Sequence, residues 1–138
     1  MPGMTRIWER LFVGSRSDAE QLYRANPHHI HPVITLTQDW LLRRSLKLSY
    51  IHVPLPDGSA ITAFQMNSVI QAIATSVPKG RILIHCDAGV SRAPVMAAAW
   101  MHLVGYRNLD EALGQISKLR EIVSPSPTLL RSVKQHLQ

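Results

Sequence analysis

The chain is poor in cysteine and in aromatic residues, and it has no long hydrophobic run. Its 138 residues include one cysteine, Cys86, which excludes an internal disulfide and leaves no second thiol to resolve an oxidised sulfur. No apolar stretch approaches the roughly 20 residues that a membrane-spanning helix needs. Residues 1–10 have no continuous apolar segment of the signal-peptide kind, so a cytoplasmic location is expected.

Positive charge exceeds negative charge, because 15 lysines and arginines against 9 aspartates and glutamates give a formal net charge of +6. This excess favours anionic partners such as phosphoproteins, nucleic acid or acidic lipid. A dedicated nucleic-acid surface is not favoured, since no run of basic residues exceeds two and aromatic residues make up only 6% of the chain. The length and the 46% hydrophobic content indicate one soluble globular domain over residues 1–138.

Residues 81–94 combine a strand, a tight loop and the start of a helix. Residues 81–85 form a short apolar run typical of a buried strand, and Gly89 permits a bend in the loop that follows. Pro94 marks the first turn of a helix. Backbone N–H groups in such a loop, together with the positive end of the helix dipole, form a binding site for an anion such as phosphate.

Cys86 and Arg92 lie at the two ends of this loop. The helix dipole, the loop amides and the Arg92 guanidinium all favour the thiolate form of Cys86, which is the nucleophilic form. The planar guanidinium can hold two phosphate oxygens at once. A structural cysteine beside a glycine turn is the alternative, and the joint spacing of His, Cys, Gly and Arg argues against it.

Residues 85–92, His-Cys-Asp-Ala-Gly-Val-Ser-Arg, resemble the signature of the cysteine-dependent protein tyrosine phosphatases, and the Ala-Gly-x-Ser-Arg form is similar to that of their compact dual-specificity branch. The resemblance implies that Cys86 attacks phosphorus and that neither metal nor cofactor is needed. It also implies a phosphorylated substrate, foremost a phosphoprotein. The phosphate-binding loop that it implies consists of Asp87, Ala88, Gly89, Val90, Ser91 and Arg92.

A general acid is expected on a different loop, because the leaving oxygen departs on the side of phosphorus opposite Cys86. Asp57 lies in a Pro-Asp-Gly-Ser turn after a predicted strand, at a position similar to that of the family's general acid. Asp39, on the loop after the preceding strand, is the second candidate. A plain turn residue is the structural alternative for Asp57. His85 is expected to orient the loop through hydrogen bonds.

Ala93 departs from the dual-specificity pattern, in which Ser or Thr usually follows the signature arginine. The Arg-Ala-Pro run resembles phosphatases of regenerating liver and some phosphoglucan phosphatases. A phosphoglucan or phosphoinositide phosphatase is therefore an alternative on the same scaffold. An RNA 5′-triphosphatase is another, which the basic charge of the chain permits. A rhodanese-type sulfurtransferase and a phosphate-binding module without turnover are two further alternatives. Asp87 adds a negative charge beside the nucleophile.

The hydrophobic pattern predicts the element order β, α, β, β, α, β, α, α, α, which indicates a three-layer α/β domain. The family's fold implies the same arrangement, a short, mostly parallel, twisted sheet flanked by helices. The closely spaced His28, His29 and His31 indicate a surface loop, with a metal site as the alternative.

The spacing of polar and apolar residues also predicts where helices begin and end and which side chains are buried. Ser17 is expected to cap a helix over residues 17–25, and a helix over residues 62–77 places Phe64 on its apolar side. A capping box at Asn108 begins a helix over residues 108–123. Residues 38–48 are expected to form a loop with a helical turn. In that loop the apolar side chains are expected to pack inward, namely Trp40, Leu41 and Leu42. The cationic side chains are expected to face water, namely Arg43, Arg44 and Lys47.

Overall fold

The computed structural model describes residues 3–138, which form one five-stranded sheet and five α-helices. The strands are β1 (Thr5–Trp8), β2 (Leu11–Gly14), β3 (Ile30–Thr35), β4 (Tyr50–His52) and β5 (Arg81–His85). The helices are α1 (Arg16–Gln21), α2 (Ala63–Ser76), α3 (Arg92–Leu103), α4 (Leu109–Leu119) and α5 (Pro127–His136), with a 3₁₀ turn at Val77–Lys79. Among the described residues, no helix is both long and apolar enough to cross a bilayer.

β5 lies at the centre of the sheet, whose strand order is β1-β2-β5-β3-β4. β2 and β3 flank β5 in parallel and β4 is parallel to β3, whereas β1 is antiparallel to β2. Gly14, Thr35 and His85 are aligned in register at the ends of β2, β3 and β5. Because parallel strands end at the same edge of the sheet, the loops after these three residues meet there.

Side chains of β5 alternate between two layers of the core. Ile82 and Ile84 belong to the larger hydrophobic cluster, to which α2, α3, α4 and α5 contribute, while Leu83 belongs to the smaller cluster beside α1. All three side chains are fully buried. A central parallel strand covered on both faces requires such a continuous apolar run. Helices therefore cover both faces of the sheet, which confirms the predicted three-layer α/β class.

α3 lies close to the sheet because it carries three consecutive alanines, Ala97 to Ala99, all of them fully buried. Small side chains allow close packing, and the flexible Met96 and Met101, also fully buried, fill the space around them. The helix begins at Arg92, immediately after the loop that follows β5. Packing of α3 against the sheet thereby fixes its N-terminus relative to the end of β5.

Three of the predicted helix ends are wrong: the start of α1, its end, which lies at Gln21 and not at residue 25, and the end of α4. α1 is capped by Ser15 and not by Ser17, because the Ser15 side chain accepts a hydrogen bond from the Asp18 amide while the Asp18 carboxylate accepts one from the Ser15 amide. α4 ends at Leu119, before the predicted residue 123. Arg120 is extended there, and its side chain donates hydrogen bonds to the loop after β5.

Three apolar side chains predicted to pack inward are exposed. In the loop after β3, Leu41 is buried as predicted and joins the smaller cluster, but Trp40 is 42% exposed and Leu42 is 88% exposed. Leu41 and α1 already cover this part of the sheet. Phe64 is 80% exposed, because it lies two residues before the buried Met66 and so projects from another side of α2.

Candidate active site

Cys86 follows β5 directly and points to the N-terminus of α3. Its side chain is buried, with 2% relative exposure, and its Sγ accepts a hydrogen bond from the Ala93 amide at 3.4 Å. Ala93 is the second residue of α3, so this amide is one of the N–H groups that the helix leaves without an intrahelical acceptor. The hydrogen bond and the positive end of the helix dipole both favour a negatively charged sulfur.

The loop between Cys86 and Arg92 bends at Gly89, whose φ of 71° lies in the left-handed region. A Cβ atom at this position would lie 2.7 Å from the Gly14 carbonyl oxygen and 2.7 Å from Nη2 of Arg120. Both the backbone conformation and the close approach of neighbouring groups therefore require glycine here. The loop is pressed against the end of β2 on one side and against Arg120 on the other.

Arg92 is held rigidly at the mouth of the loop. Its Nη1 donates to the carbonyl oxygens of Leu55 at 3.0 Å and Leu36 at 3.4 Å, and its side chain is only 3% exposed. The opposite edge of the guanidinium faces two carboxylates: Nη2 contacts Oδ2 of Asp87 at 2.8 Å, and Nε lies 3.7 Å from Oδ1 of Asp57. This edge has the two parallel donors that bind an oxyanion in bidentate fashion.

Asp57 is brought to the same mouth from a different loop, as the sequence predicts. It lies in the turn after β4, contacts Arg92 and has a side chain 72% exposed to solvent. Asp39, the second candidate, is also exposed, but its contacts are made by its backbone carbonyl, which accepts from the Thr37 hydroxyl at 2.6 Å and from Arg16 at 3.5 Å. Of the two predicted candidates for the general acid, Asp57 is therefore the one whose carboxylate lies next to Arg92.

The carboxylate of Asp87 forms ion pairs with two arginines. It accepts from Nη2 of Arg92 at 2.8 Å and from Nε of Arg16 at 3.4 Å. Burial raises its pKa, but the hydrogen bonds and charges of these two guanidinium groups outweigh burial and hold the pKa below its usual value. The carboxylate beside the nucleophile is thus ionised and paired, which limits its repulsion of a thiolate at Cys86.

The family model described as "Dual specificity phosphatase, catalytic domain" matches residues 11–138 of this chain. The chain belongs to the dual specificity phosphatase family. Human "Dual specificity protein phosphatase 5" is 27% identical over 126 residues, which cover 90% of this chain and 33% of that protein. "Tyrosine-protein phosphatase yvh1" of Schizosaccharomyces pombe is 31% identical over 147 residues, which cover 98% of this chain and 42% of that protein. The chain spans less than half the length of these two relatives.

Solved structures share the fold of this dual specificity phosphatase domain. Human DUSP28 superposes with a TM-score of 0.83 at 18% identity, covering 99% of this chain and 93% of that one. A mouse putative dual specificity phosphatase superposes with a TM-score of 0.85 at 18% identity, covering 99% and 87%. Identities this low support the fold alone, and the fold agrees with the family assignment and with the resemblance drawn from residues 85–92.

Arg120 is a site residue of this phosphatase domain that sequence reasoning missed. Its side chain donates to the carbonyl oxygens of Gly89 at 2.9 Å and Ala88 at 3.4 Å, and also to Gly3 O at 2.7 Å and Thr5 Oγ1 at 2.8 Å. Because a trans peptide sets N–H opposite to C=O, the amides of the two residues that follow these carbonyls, Gly89 and Val90, point away from Arg120. Burial lowers the pKa of Arg120. Its sequence context carries no signal, since the predicted helix continued through it.

His85 contacts the loop from within the core, as the sequence predicts. It is fully buried; Nδ1 lies 3.2 Å from the Cys86 carbonyl oxygen and Nε2 lies 2.9 Å from the Thr35 hydroxyl. Burial lowers its pKa to about 4, so the ring is neutral, with Nδ1 donating to the carbonyl and Nε2 accepting from the hydroxyl. A neutral ring with a hydrogen bond at each nitrogen fixes the position of the chain at Cys86, and it does not supply a proton at neutral pH.

The Ser91 hydroxyl is engaged away from the sulfur. Its Oγ accepts a hydrogen bond from the Ser126 amide at 2.8 Å, which ties the loop to the start of α5. Among the described residues, the donor that contacts Cys86 Sγ is the Ala93 amide and not a hydroxyl. The departure noted at Ala93 is therefore not compensated by Ser91 in this geometry.

Proposed function

We propose that this domain hydrolyses phosphomonoesters of phosphorylated proteins through a phosphocysteine intermediate. The observation that carries the proposal is the position of the Cys86 sulfur at the N-terminus of α3, where the Ala93 amide donates to it. Arg92 and Asp57 are paired at the mouth of the same loop. Nucleophile and oxyanion clamp thus come from one loop and the acid from a second loop, and the two loops meet at one edge of the sheet.

In the first step, the Cys86 thiolate forms a bond to phosphorus while the bond to the ester oxygen breaks. Asp57 transfers its proton to the departing oxygen, and the alcohol or phenol leaves. Nε and Nη2 of Arg92 bind two of the remaining phosphoryl oxygens, and the loop amides of residues 87–92 bind the negative charge. The phosphate competes with Asp87 for Nη2, because this nitrogen contacts the Asp87 carboxylate.

In the second step, the ionised Asp57 takes a proton from a water molecule, whose oxygen attacks phosphorus. The sulfur–phosphorus bond breaks, the thiolate of Cys86 is regenerated, and inorganic phosphate leaves. The residues at this site account for both steps with their own charges, since Arg92 and the loop amides stabilise the transition state.

Phosphate release by wild type and Cys86→Ser tests the proposal, with an aryl phosphate and with phosphotyrosine and phosphothreonine peptides as substrates. We expect wild type to release phosphate from all three and Cys86→Ser to release none, because a serine hydroxyl stays protonated at neutral pH. Cys86→Ser is expected to keep its affinity for vanadate, since the loop amides and Arg92 are intact. Turnover by Cys86→Ser at a rate near that of wild type contradicts covalent catalysis by Cys86.

The same assay distinguishes the other substrate classes. Release from triphosphorylated RNA, a phosphoglucan or a phosphoinositide, with no release from phosphopeptides, contradicts the proposed substrate but retains the chemistry. Sulfur transfer from thiosulfate without phosphate release contradicts the chemistry. Binding of phosphopeptides without any turnover identifies a binding module.

A further inference from the structure

The loop between β3 and β4 exposes two leucines to solvent. In this loop, residues 38–48, the relative exposure of Leu42 is 88% and that of Leu46 is 105%, which is as open as a side chain can be on a folded chain. Trp40 is half-exposed, and its ring centre lies 4.4 Å from that of His52 in the edge strand β4. Single exposed apolar residues are common on proteins, but two leucines projecting from one short loop form a local apolar feature.

The same loop is strongly basic. Arg43, Arg44 and Lys47 are all exposed, and Asp39 is the single acidic residue among residues 38–48. The guanidinium of Arg44 lies 4.8 Å from the centre of the Trp40 ring, a cation–π contact that keeps this charge at the surface. Each of the two exposed leucines is therefore followed directly by an exposed cation along the loop.

Several contacts hold the loop so that its leucines face outward. Leu41 is buried in the smaller cluster, and Oε2 of Glu20 accepts from the amides of Leu42 at 2.7 Å and Arg43 at 3.3 Å. The Tyr50 hydroxyl accepts from the Ser45 amide at 2.8 Å. The exposed side chains are thus presented by a backbone that is tied to α1 and β4.

The loop borders the phosphatase cleft. Arg16, which contacts Asp87 of the phosphate-binding loop, also donates to the carbonyl oxygens of Trp40 at 3.4 Å and Asp39 at 3.5 Å. Leu36, just before the loop, accepts a hydrogen bond from Arg92. A surface that docks residues 38–48 therefore lies beside the mouth of the active site.

We propose that residues 38–48 dock on an anionic lipid surface, with Leu42 and Leu46 entering the interfacial region. Arg43, Arg44 and Lys47 then contact lipid phosphates. Projecting leucines suit a bilayer, because acyl chains accept them at any position, whereas a protein partner needs a matching pocket for each one. Diffuse negative charge likewise matches three cations that are exposed along one loop. This docking does not depend on the proposed hydrolysis.

Co-sedimentation with vesicles tests the proposal. We expect the wild-type protein and Cys86→Ser to bind vesicles of phosphatidylcholine mixed with phosphatidylserine, to bind pure phosphatidylcholine weakly, and to be released by salt. Leu42→Ser with Leu46→Ser is expected to reduce binding at least about tenfold, because their apolar side chains leave the interface. Replacing Arg43 or Arg44 by Ser is expected to reduce vesicle binding about fivefold for each cation that is removed.

A matched control is available on α4, which lies over the larger cluster on the other face of the sheet. Lys118→Ser with Leu119→Ser removes one exposed cation and one exposed leucine, and we expect it to bind vesicles as wild type does. The circular dichroism spectrum and the urea unfolding curve of the Leu42 and Leu46 variant report whether its fold is intact.

Three results overturn the proposal: no retention on phosphatidylserine vesicles at low salt, equal retention of the loop and control variants, or loop-dependent binding of an acidic phosphopeptide without binding of vesicles. The last result assigns the loop to a protein partner. Since Cys86→Ser is included, failure of the proposed hydrolysis leaves the vesicle result interpretable.

Discussion

Asp57 differs from Cys86 and Arg92 in that most of its side chain is exposed, which suits the role proposed for it, the exchange of protons with substrate and solvent. We expect Asp57→Asn to lower kcat by about a hundredfold or more for phosphopeptides, because general acids contribute roughly 10²–10⁴. For an aryl phosphate with an activated leaving group the loss is expected to be less than about tenfold, since that oxygen needs little protonation. Steady-state kinetics on the two substrates measures the difference. Asp39→Asn is the control and is expected to retain wild-type kcat on both.

Equal losses on good and poor leaving groups in Asp57→Asn contradict this role. A larger selective loss in Asp39→Asn transfers the role to Asp39.

Ala93 offers the sulfur a backbone amide at 3.4 Å and no hydroxyl. In the second step the sulfur leaves as a thiolate, and a hydroxyl hydrogen bond to it is worth about 1.5–3 kcal/mol. That energy corresponds to roughly a factor of ten to a hundred in rate. We expect wild type to show a burst of leaving group before steady turnover, and Ala93→Ser to raise kcat and shrink the burst. Stopped-flow measurement with an aryl phosphate tests this. If wild type shows no burst and Ala93→Ser leaves kcat unchanged, the Ala93 amide alone is sufficient to stabilise the departing thiolate, which contradicts this prediction.

At the scale of elements, Arg120 joins the end of α4, the phosphate-binding loop and the N-terminal strand. We expect Arg120→Met to lower the free energy of unfolding by about 2 kcal/mol or more, because it leaves buried carbonyl oxygens unpaired. The affinity for vanadate is also expected to fall, since the loop amides lose their orientation. Arg107→Met is the control, because the Arg107 side chain is 79% exposed and its ion pair with Glu111 contributes little. Destabilisation in Arg120→Met with unchanged vanadate affinity contradicts the orienting role.

The elements that depend on local signals were predictable from the sequence. Asn108 caps α4 as predicted, because its partner, the Glu111 amide, lies within one turn of it. The signature of residues 85–92 is equally local, so Cys86, Gly89 and Arg92 were found together.

The features that depend on distant contacts were not predictable. Arg120 reaches Gly3 and Gly89, and the pairing of Arg16 with Asp87 joins α1 to the phosphate-binding loop; no spacing rule links such positions. The inward packing predicted for Trp40 and Leu42 failed because burial on that face depends on how much area α1 and Leu41 already cover.

At the scale of the whole molecule, the buried His85 couples stability to pH. Burial lowers its pKa from 6.5 to about 4. Below pH 6.5 the unfolded chain binds a proton that the folded chain does not, so the free energy of unfolding falls as the pH drops through this window and stops falling below about 4. At about 1.4 kcal/mol per pH unit, the loss across the window is about 3 kcal/mol.

Urea unfolding of wild type, His85→Gln and His29→Asn at several pH values measures this loss. We expect His85→Gln to show a shallower decline on the acid side and the exposed His29→Asn to follow wild type. Equal slopes in wild type and His85→Gln assign the acid sensitivity to other groups.

The central claim is that the Cys86 sulfur carries the phosphoryl group during turnover. Rapid mixing of wild type with an aryl phosphate, followed by a denaturing quench, digestion and mass spectrometry, tests it most directly. We expect a phosphoryl group on the peptide that contains Cys86, formed as fast as the leaving group appears and in an amount approaching that of the enzyme. Cys86→Ser is expected to form none. Phosphate release by wild type without this adduct, or an adduct on another residue, contradicts the claim.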